Sequence, residues 1–275
     1  MNETKTTHFR NAHQQKKPLV LLNIWNVASA DELTTQTINL IPTGSYAMSD
    51  YYGYQDGENM PFDELLGYIR QMDTQNNYIT ADIESGYATN GLELAKNIEA
   101  LINIGVIGIN IEDKKPNTET LYSIAEQCVR LLAIKHQTNA MKKDLFINVR
   151  TDTYFIGDIA ANNQDEQVLN QTIARIKAYE KTGIDGIFIP GLKNQEHLKQ
   201  IAAATTLPIN IMLDLQNDSI ADYLDTGISR ISFGPSIYML YNEYETDDLI
   251  TFYTSLLADL AQYEEQDQIE LFRIQ

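Results

Sequence analysis

Short apolar runs alternate with amphipathic stretches along most of the chain, and the apolar runs carry the two-residue period of strands. Val20-Leu-Leu-Asn-Ile-Trp25 is the first, with Val20, Leu22 and Ile24 on one face and Leu21, Asn23 and Trp25 on the other. Similar runs predict strands over 38–45, 78–83, 106–113, 145–150, 187–190, 208–213 and 229–233. Helical patterns fall between them over 29–36, 62–72, 91–104, 118–136, 166–182, 194–204 and 219–225, and two more over 236–241 and 246–263 end the chain. Eight strands, each followed by a helix, call for a parallel sheet covered by helices, and about 250 residues is the size of a (β/α)8 TIM barrel. A doubly wound open sheet is the alternative, but no GxGxxG follows the first strand. The organisation expected is a flexible N-terminal segment over 1–17, then one barrel domain with C-terminal helices over 18–275.

Composition narrows the function. The 275 residues hold 38 acidic and 20 basic side chains, a net charge of −18, which disfavours grip on nucleic acid or anionic lipid. The single cysteine, Cys128, sits in a helical pattern and cannot form an internal disulfide, which fits a cytoplasmic protein. No apolar run reaches membrane-spanning length, and the polar start has no signal-peptide core. His8, His13, His136 and His197 fall in that start or in helices, so neither a Ser-His-Asp triad nor a histidine zinc site is indicated.

The strand faces then bring chemistry together. In Thr80-Ala-Asp82-Ile-Glu84 two carboxylates share one strand face, and a hard cation such as Mg²⁺ would relieve their repulsion. Projecting the strand ends onto one rim joins them with Ser45, Glu112, Arg150 and Asn210, and Asp56 comes in from the loop after the second strand. Arg150 suits a carboxylate clamp, because its guanidinium fork matches that group bidentately. A small substrate with a carboxylate beside a keto oxygen could bridge metal and arginine. Bland readings stand beside this one: Arg150 neutralising core acids, Glu112-Asp113 as a helix-dipole pair, and asparagines satisfying barrel hydrogen bonds.

The chain resembles the isocitrate lyase / phosphoenolpyruvate mutase superfamily, nearest its short bacterial members. The resemblance rests on Pro18-Leu-Val-Leu-Leu-Asn-Ile-Trp-Asn-Val-Ala-Ser-Ala30, Gly53-Tyr-Gln-Asp-Gly-Glu58, Ala81-Asp-Ile-Glu-Ser-Gly-Tyr87, Gly105-Val-Ile-Gly-Ile-Asn-Ile-Glu-Asp113, Ile147-Asn-Val-Arg-Thr-Asp152 and Arg230-Ile-Ser-Phe-Gly-Pro235. It implies a barrel whose last helix is often swapped in homodimers or homotetramers. It also implies Mg²⁺, with Mn²⁺ a substitute, and bond breaking next to a 2-oxo acid through an enolate. Metal ligands by matching position are Asp82, Glu84 and Glu112, and catalytic residues are Arg150, Asp56 and Glu112. Ser45, Tyr46, Ala47, Trp25, Arg150 and Asn210 are expected to bind substrate.

Departures refine the expectation. The Lys-Lys/Arg-Cys-Gly-His loop of isocitrate lyases is absent after Glu112, which disfavours that activity. Lys115 and Asn117 could imitate the gating loop of the mutases, in a shorter segment. Asn26, Gln55 and Tyr46 replace the residues usual at their positions. The expectation is a carbon–carbon lyase or decarboxylase acting on a small 2-oxo (di)carboxylate. The alternatives are a P–C bond enzyme and a catalytically silent ligand-binding barrel.

Overall fold

Parallel strands close into a barrel, the first of the two architectures open to the alternation along the sequence. The computed structural model describes residues 4–243 and 248–273. Its strands are β1 Leu19–Leu21, β2 Leu40–Pro42, β3 Tyr78–Asp82, β4 Val106–Glu112, β5 Phe146–Arg150, β6 Gly186–Ile189, β7 Ile209–Met212, β8 Arg230–Ser232 and β9 Glu270–Leu271. Their hydrogen-bonded order is β2-β3-β4-β5-β6-β7-β8-β1-β9. Just past β1 and β2 the ring closes at a parallel bridge, Ile24 to Thr43, where the Ile24 N–H donates to the Pro42 carbonyl at 2.9 Å. At the opposite end β9 pairs with Leu19 and Val20 of β1, and the Asn39 N–H at the foot of β2 donates to the Phe272 carbonyl at 3.1 Å.

The helices are α1 Lys5–Ala12, α2 Val27–Thr35, α3 Ser45–Tyr51, α4 Phe62–Gln71, α5 Gly91–Asn103, α6 Ile124–Met141, α7 Ile159–Asn162, α8 Glu166–Glu180, α9 Gln195–Ala204, α10 Ser236–Glu243 and α11 Leu249–Glu265, with short 3₁₀ turns at Asp152–Tyr154 and Ile220–Thr226. Two starts differ from the sequence pattern for local reasons. Ser45, expected to end the second strand, opens α3 after Gly44 takes the N-cap position. α6 begins at 124, not 118, because Ser123 and Glu126 form a reciprocal capping box there.

Outward strand faces such as Ile79/Ala81, Ile109/Ile111, Ile147/Val149 and Ile187/Ile189 are buried under the helices. A second apolar cluster closes the foot of the barrel, built from Leu19, Leu21, Leu40, Tyr78, Ile107, Phe146, Phe272 and the fully buried Phe9 of α1. Within the segment expected to be a flexible tail, Lys5–Ala12 is a helix packed on the barrel. α1 is capped by Thr4, and Phe9 meets Phe146 edge-on at 4.9 Å. Arg10 holds both oxygens of Asp144 at 2.8 and 2.9 Å and reaches Asp185 at 2.8 Å. One apolar anchor with charged partners far along the chain leaves no periodic signal to read.

Within the single chain, the last helix, α11, buries Phe252, Tyr253, Leu256 and Leu260 against its own barrel, over α2. Its expected start at Thr246 lies outside the described residues. Among the described residues no helix is long and apolar enough to cross a membrane.

Candidate active site

The C-terminal ends of the strands surround a cavity of about 440 Å³. Asp82, the last residue of β3, forms its acidic wall. The Asp82 N–H donates to Thr43 Oγ1 at 2.9 Å, which fixes the backbone. The carboxylate accepts the Ser45 hydroxyl at 3.1 Å and the Glu84 N–H at 3.2 Å. Ser45, Tyr46 and Ala47 line the same cavity from the first turn of α3, where Gly44 provides no side-chain cap, so their N–H groups are open to an anion. Asp56 reaches the mouth from its exposed turn.

Arg150, at the end of β5, supplies the cavity's cationic side chain. Its Nε and Nη2 donate to the two oxygens of Asp152 at 2.6 and 3.0 Å, and Nη1 lies 3.2 Å from Glu112 Oε2. Burial works against its charge, but Asp152 and Glu112 outweigh that and hold its pKa well above the ordinary value. Asp152 takes two of the five N–H groups as hydrogen bonds, and Nη1 faces Glu112 as an ion pair. The asparagine beside it is oriented from below. Asn110 Oδ1 accepts from Asn148 Nδ2 at 2.9 Å and from Arg230 Nη2 at 3.3 Å. Since an arginine N–H can only donate, the amide oxygen must face down, and the NH₂ of Asn110 is turned to the cavity it lines.

Several expected site residues stand elsewhere. Glu84 has a left-handed backbone (φ 48°) that swings its carboxylate off the strand face, to Tyr87 Oη at 2.9 Å and the Glu58 N–H at 2.6 Å. Glu112 is buried behind Arg150. Of the three carboxylates expected to hold a metal, Asp82 alone reaches the cavity wall. Trp25 does not line the cavity: it is 1% exposed, enclosed by Tyr238, Tyr241, Phe252 and Tyr253. The chain leaves strand geometry after Leu21, so alternation no longer sets its direction. Asn210 lies one layer too deep, bonding Ser232 Oγ at 3.1 Å and accepting from Asn148 at 3.2 Å. Lys115 lies over the Tyr122 ring, and Asn117 accepts from Asn59, so neither lines the cavity.

The acids are short of positive charge. Burial, reinforced by Asp56 and Asp82, pushes Glu84 up to about 8. Burial also raises Asp82, with Asp56 adding to it, and raises Glu112 well above its usual range against the pull of Arg150. No three acid, histidine or cysteine side chains converge as a ready-made ligand cage among the described residues. Mg²⁺ commonly uses one or two carboxylates and keeps several waters, so Asp82 with the acids around it fits such an ion as donor chemistry.

The sequence model for phosphoenolpyruvate phosphomutase matches residues 9–245. The chain belongs to that family. An uncharacterized protein of Mycobacterium tuberculosis H37Rv is 29% identical over 230 residues, 84% of this chain and 83% of its own length. An oxaloacetate decarboxylase of Bradyrhizobium diazoefficiens is 29% identical over 182 residues, 66% of this chain and 61% of its own. The crystal structure of a "putative phosphonomutase" from Burkholderia cenocepacia J2315 superposes with a TM-score of 0.81 at 31% identity, covering 94% of this chain and 100% of that one. Oxaloacetate acetylhydrolase with its product oxalate superposes with a TM-score of 0.73 at 15% identity, over 98% of this chain and 89% of that one, a likeness of fold alone. Family membership agrees with the superfamily resemblance read from the motifs.

Proposed function

We propose that the chain is a divalent-metal-dependent lyase that cleaves or decarboxylates a small 2-oxo acid. The observation that carries this reading is the sharing of one cavity by Asp82, Arg150 and the uncapped N–H groups of Ser45, Tyr46 and Ala47. Asp82 would hold Mg²⁺ or Mn²⁺ directly, with Glu84, Glu112 and Asp56 reached through water. When bound, the ion supplies the positive charge that an enolate oxygen needs. The protein's own part is positioning. The N–H groups of α3 and the N–H groups of Arg150 not bonded to Asp152 take the substrate carboxylate, and Asn110 offers a further donor. The bond at C3 then breaks, its electron pair passes into the C2–C3 enolate, and CO₂ or a larger carbonyl fragment leaves. A proton taken up at C3 completes a 2-oxo product.

The test is release of pyruvate by purified protein with Mg²⁺ from oxaloacetate and, in parallel, from phosphonopyruvate. Activity on the first that disappears with EDTA and in Asp82→Ala supports the reading. Turnover of phosphonopyruvate alone moves the chain to P–C chemistry, and full activity in Asp82→Ala removes the site assignment.

A further inference from the structure

Asp113 is a buried acid that the proposed chemistry does not use. It is fully buried, follows Glu112 off the end of β4 and does not line the cavity. No helix begins on it, since α6 opens only at Ile124, so a helix-dipole role for Glu112-Asp113 does not apply. Four donors converge on its carboxylate instead. Oδ1 accepts the Asp152 N–H at 3.0 Å. Oδ2 accepts the Thr151 hydroxyl at 2.8 Å, the Tyr179 hydroxyl at 2.8 Å and Arg175 Nη1 at 3.0 Å. An ionised carboxylate has about four acceptor sites and no donor, so the protein itself fills Asp113 and leaves nothing for a metal or a substrate.

These bonds lead to Arg150. The Asp113 N–H donates to the Arg150 carbonyl at 3.1 Å, and its carboxylate takes the next two residues. Thr151 stands at the N-cap of the 3₁₀ turn Asp152–Tyr154 yet makes no cap bond with its side chain, whose hydroxyl goes to Asp113. Asp113 takes the first N–H of that turn from a neighbouring strand. Where the turn starts decides where the Asp152 carboxylate points, and it points back to fork onto Arg150 Nε and Nη2. On the far side Arg175 and Tyr179 of α8 hold the anchor. Arg175 Nη1 also donates to the Tyr179 hydroxyl at 2.8 Å and to the Tyr122 carbonyl at 3.0 Å. Thr151, Asp152, Arg175 and Tyr179 are all buried, so water does not compete for these bonds.

We propose that Asp113 is a positioning residue: acting through Thr151 and Asp152, and braced by Arg175 and Tyr179, it fixes the direction of the Arg150 guanidinium. The proposal deepens the 2-oxo acid reading and rests on it for the role of Arg150 as the carboxylate clamp.

The test leaves Asp113 in place, because its removal would strand the buried Arg175 charge. Thr151→Val and Tyr179→Phe each take away one of its hydroxyl donors with little change of volume, and Thr151→Ser keeps the first. Titration calorimetry of the full-length protein with oxalate and Mg²⁺ is expected to show binding weakened about fivefold by either change, the scale of one buried hydrogen bond, and restored in Thr151→Ser. In an Arg150→Lys background, which has no fork to aim, Thr151→Val is expected to have no further effect. The Arg150 Nε–H resonance, assigned by its loss in Arg150→Lys, needs no ligand: its exchange with solvent should quicken about tenfold in Thr151→Val. A role confined to stability would lower the melting temperature and leave both readouts unmoved. That result, or a weakening that persists in Arg150→Lys, overturns the proposal. If oxalate binds no form of the protein, the 2-oxo acid reading falls, and the Nε–H exchange alone decides for or against Asp113.

Discussion

Glu84 accepts the backbone N–H of Glu58 at 2.6 Å, and through that bond the end of β3 holds the loop that carries Asp56. Glu58 returns the grip, its carboxylate accepting the Ser85 hydroxyl at 2.6 Å and the Tyr87 N–H at 2.8 Å. The loop is thus latched by two acids that do not line the cavity.

Glu58→Ala should release this latch while leaving the barrel intact. Two acceptor bonds are lost at the surface of a loop, a local cost of roughly 1–3 kcal/mol. Amide hydrogen exchange should accelerate over 53–60 with the core strands unchanged. Equal acceleration in β3 and β4 would show that the latch serves the whole fold.

Arg150→Ala should destabilise as well as inactivate. Asp152 is fully buried and Glu112 nearly so, and each would lose its partner. Removing one side of a buried ion pair costs about 3–5 kcal/mol. Adding Glu112→Gln and Asp152→Asn to that variant should recover much of the denaturant midpoint but no turnover. A midpoint that does not move in the triple variant would contradict the ion-pair account.

Asn110→Asp should separate stability from binding. A carboxylate there can pair with Arg230, whose Nε and Nη1 are buried without partners, so the melting temperature should hold or rise. The donor facing the cavity would be replaced by an acceptor, and oxalate binding should weaken at least tenfold. Unchanged oxalate affinity would remove Asn110 from the site.

His13 makes the foot of the barrel acid-sensitive. It stacks on Phe146 with ring centroids 4.4 Å apart, and burial, with Arg230 and Arg10 nearby, pushes its pKa down to about 3. In the unfolded chain a histidine takes its proton near pH 6.5. Between those values the unfolded state binds a proton that the folded state refuses, so His13 costs stability as pH falls below 6.5. At pH 4 the cost is about 3 kcal/mol. Urea denaturation of the unaltered protein and of His13→Phe should diverge by that amount between pH 7 and 4; parallel curves would show that His13 is protonated in place.

The barrel and part of its site were legible because period-two patterning states which face a residue is on. Asp82 and Arg150 fall on the inward face at the strands' C-terminal ends, and both line the cavity. Face is not depth: Asn210 is inward but sits below the cavity, since strand stagger decides the layer. Face also lapses where the strand stops, which is why Trp25 and Glu84 point elsewhere. Phe155 and Met239 come from segments after their strands, where no alternation applies, so they left no trace in the pattern, unlike Phe188 of β6 and Met212 of β7. Asp152 did leave one, two residues after Arg150 in Arg-Thr-Asp, as a carboxylate close enough to fork onto the guanidinium.

The wedging of β9 between the feet of β1 and β2 makes the two ends of the barrel unequal. Around the foot a circuit crosses nine strands, while around the rim, where Ile24 meets Thr43 directly, it crosses eight. The extra strand ends the foot in backbone of its own, and Phe272, just past β9, joins Phe9, Phe146 and Tyr78 in the apolar cluster that closes it. The rim has no such plug, and there Asp82, Asn110 and Arg150 line an open cavity.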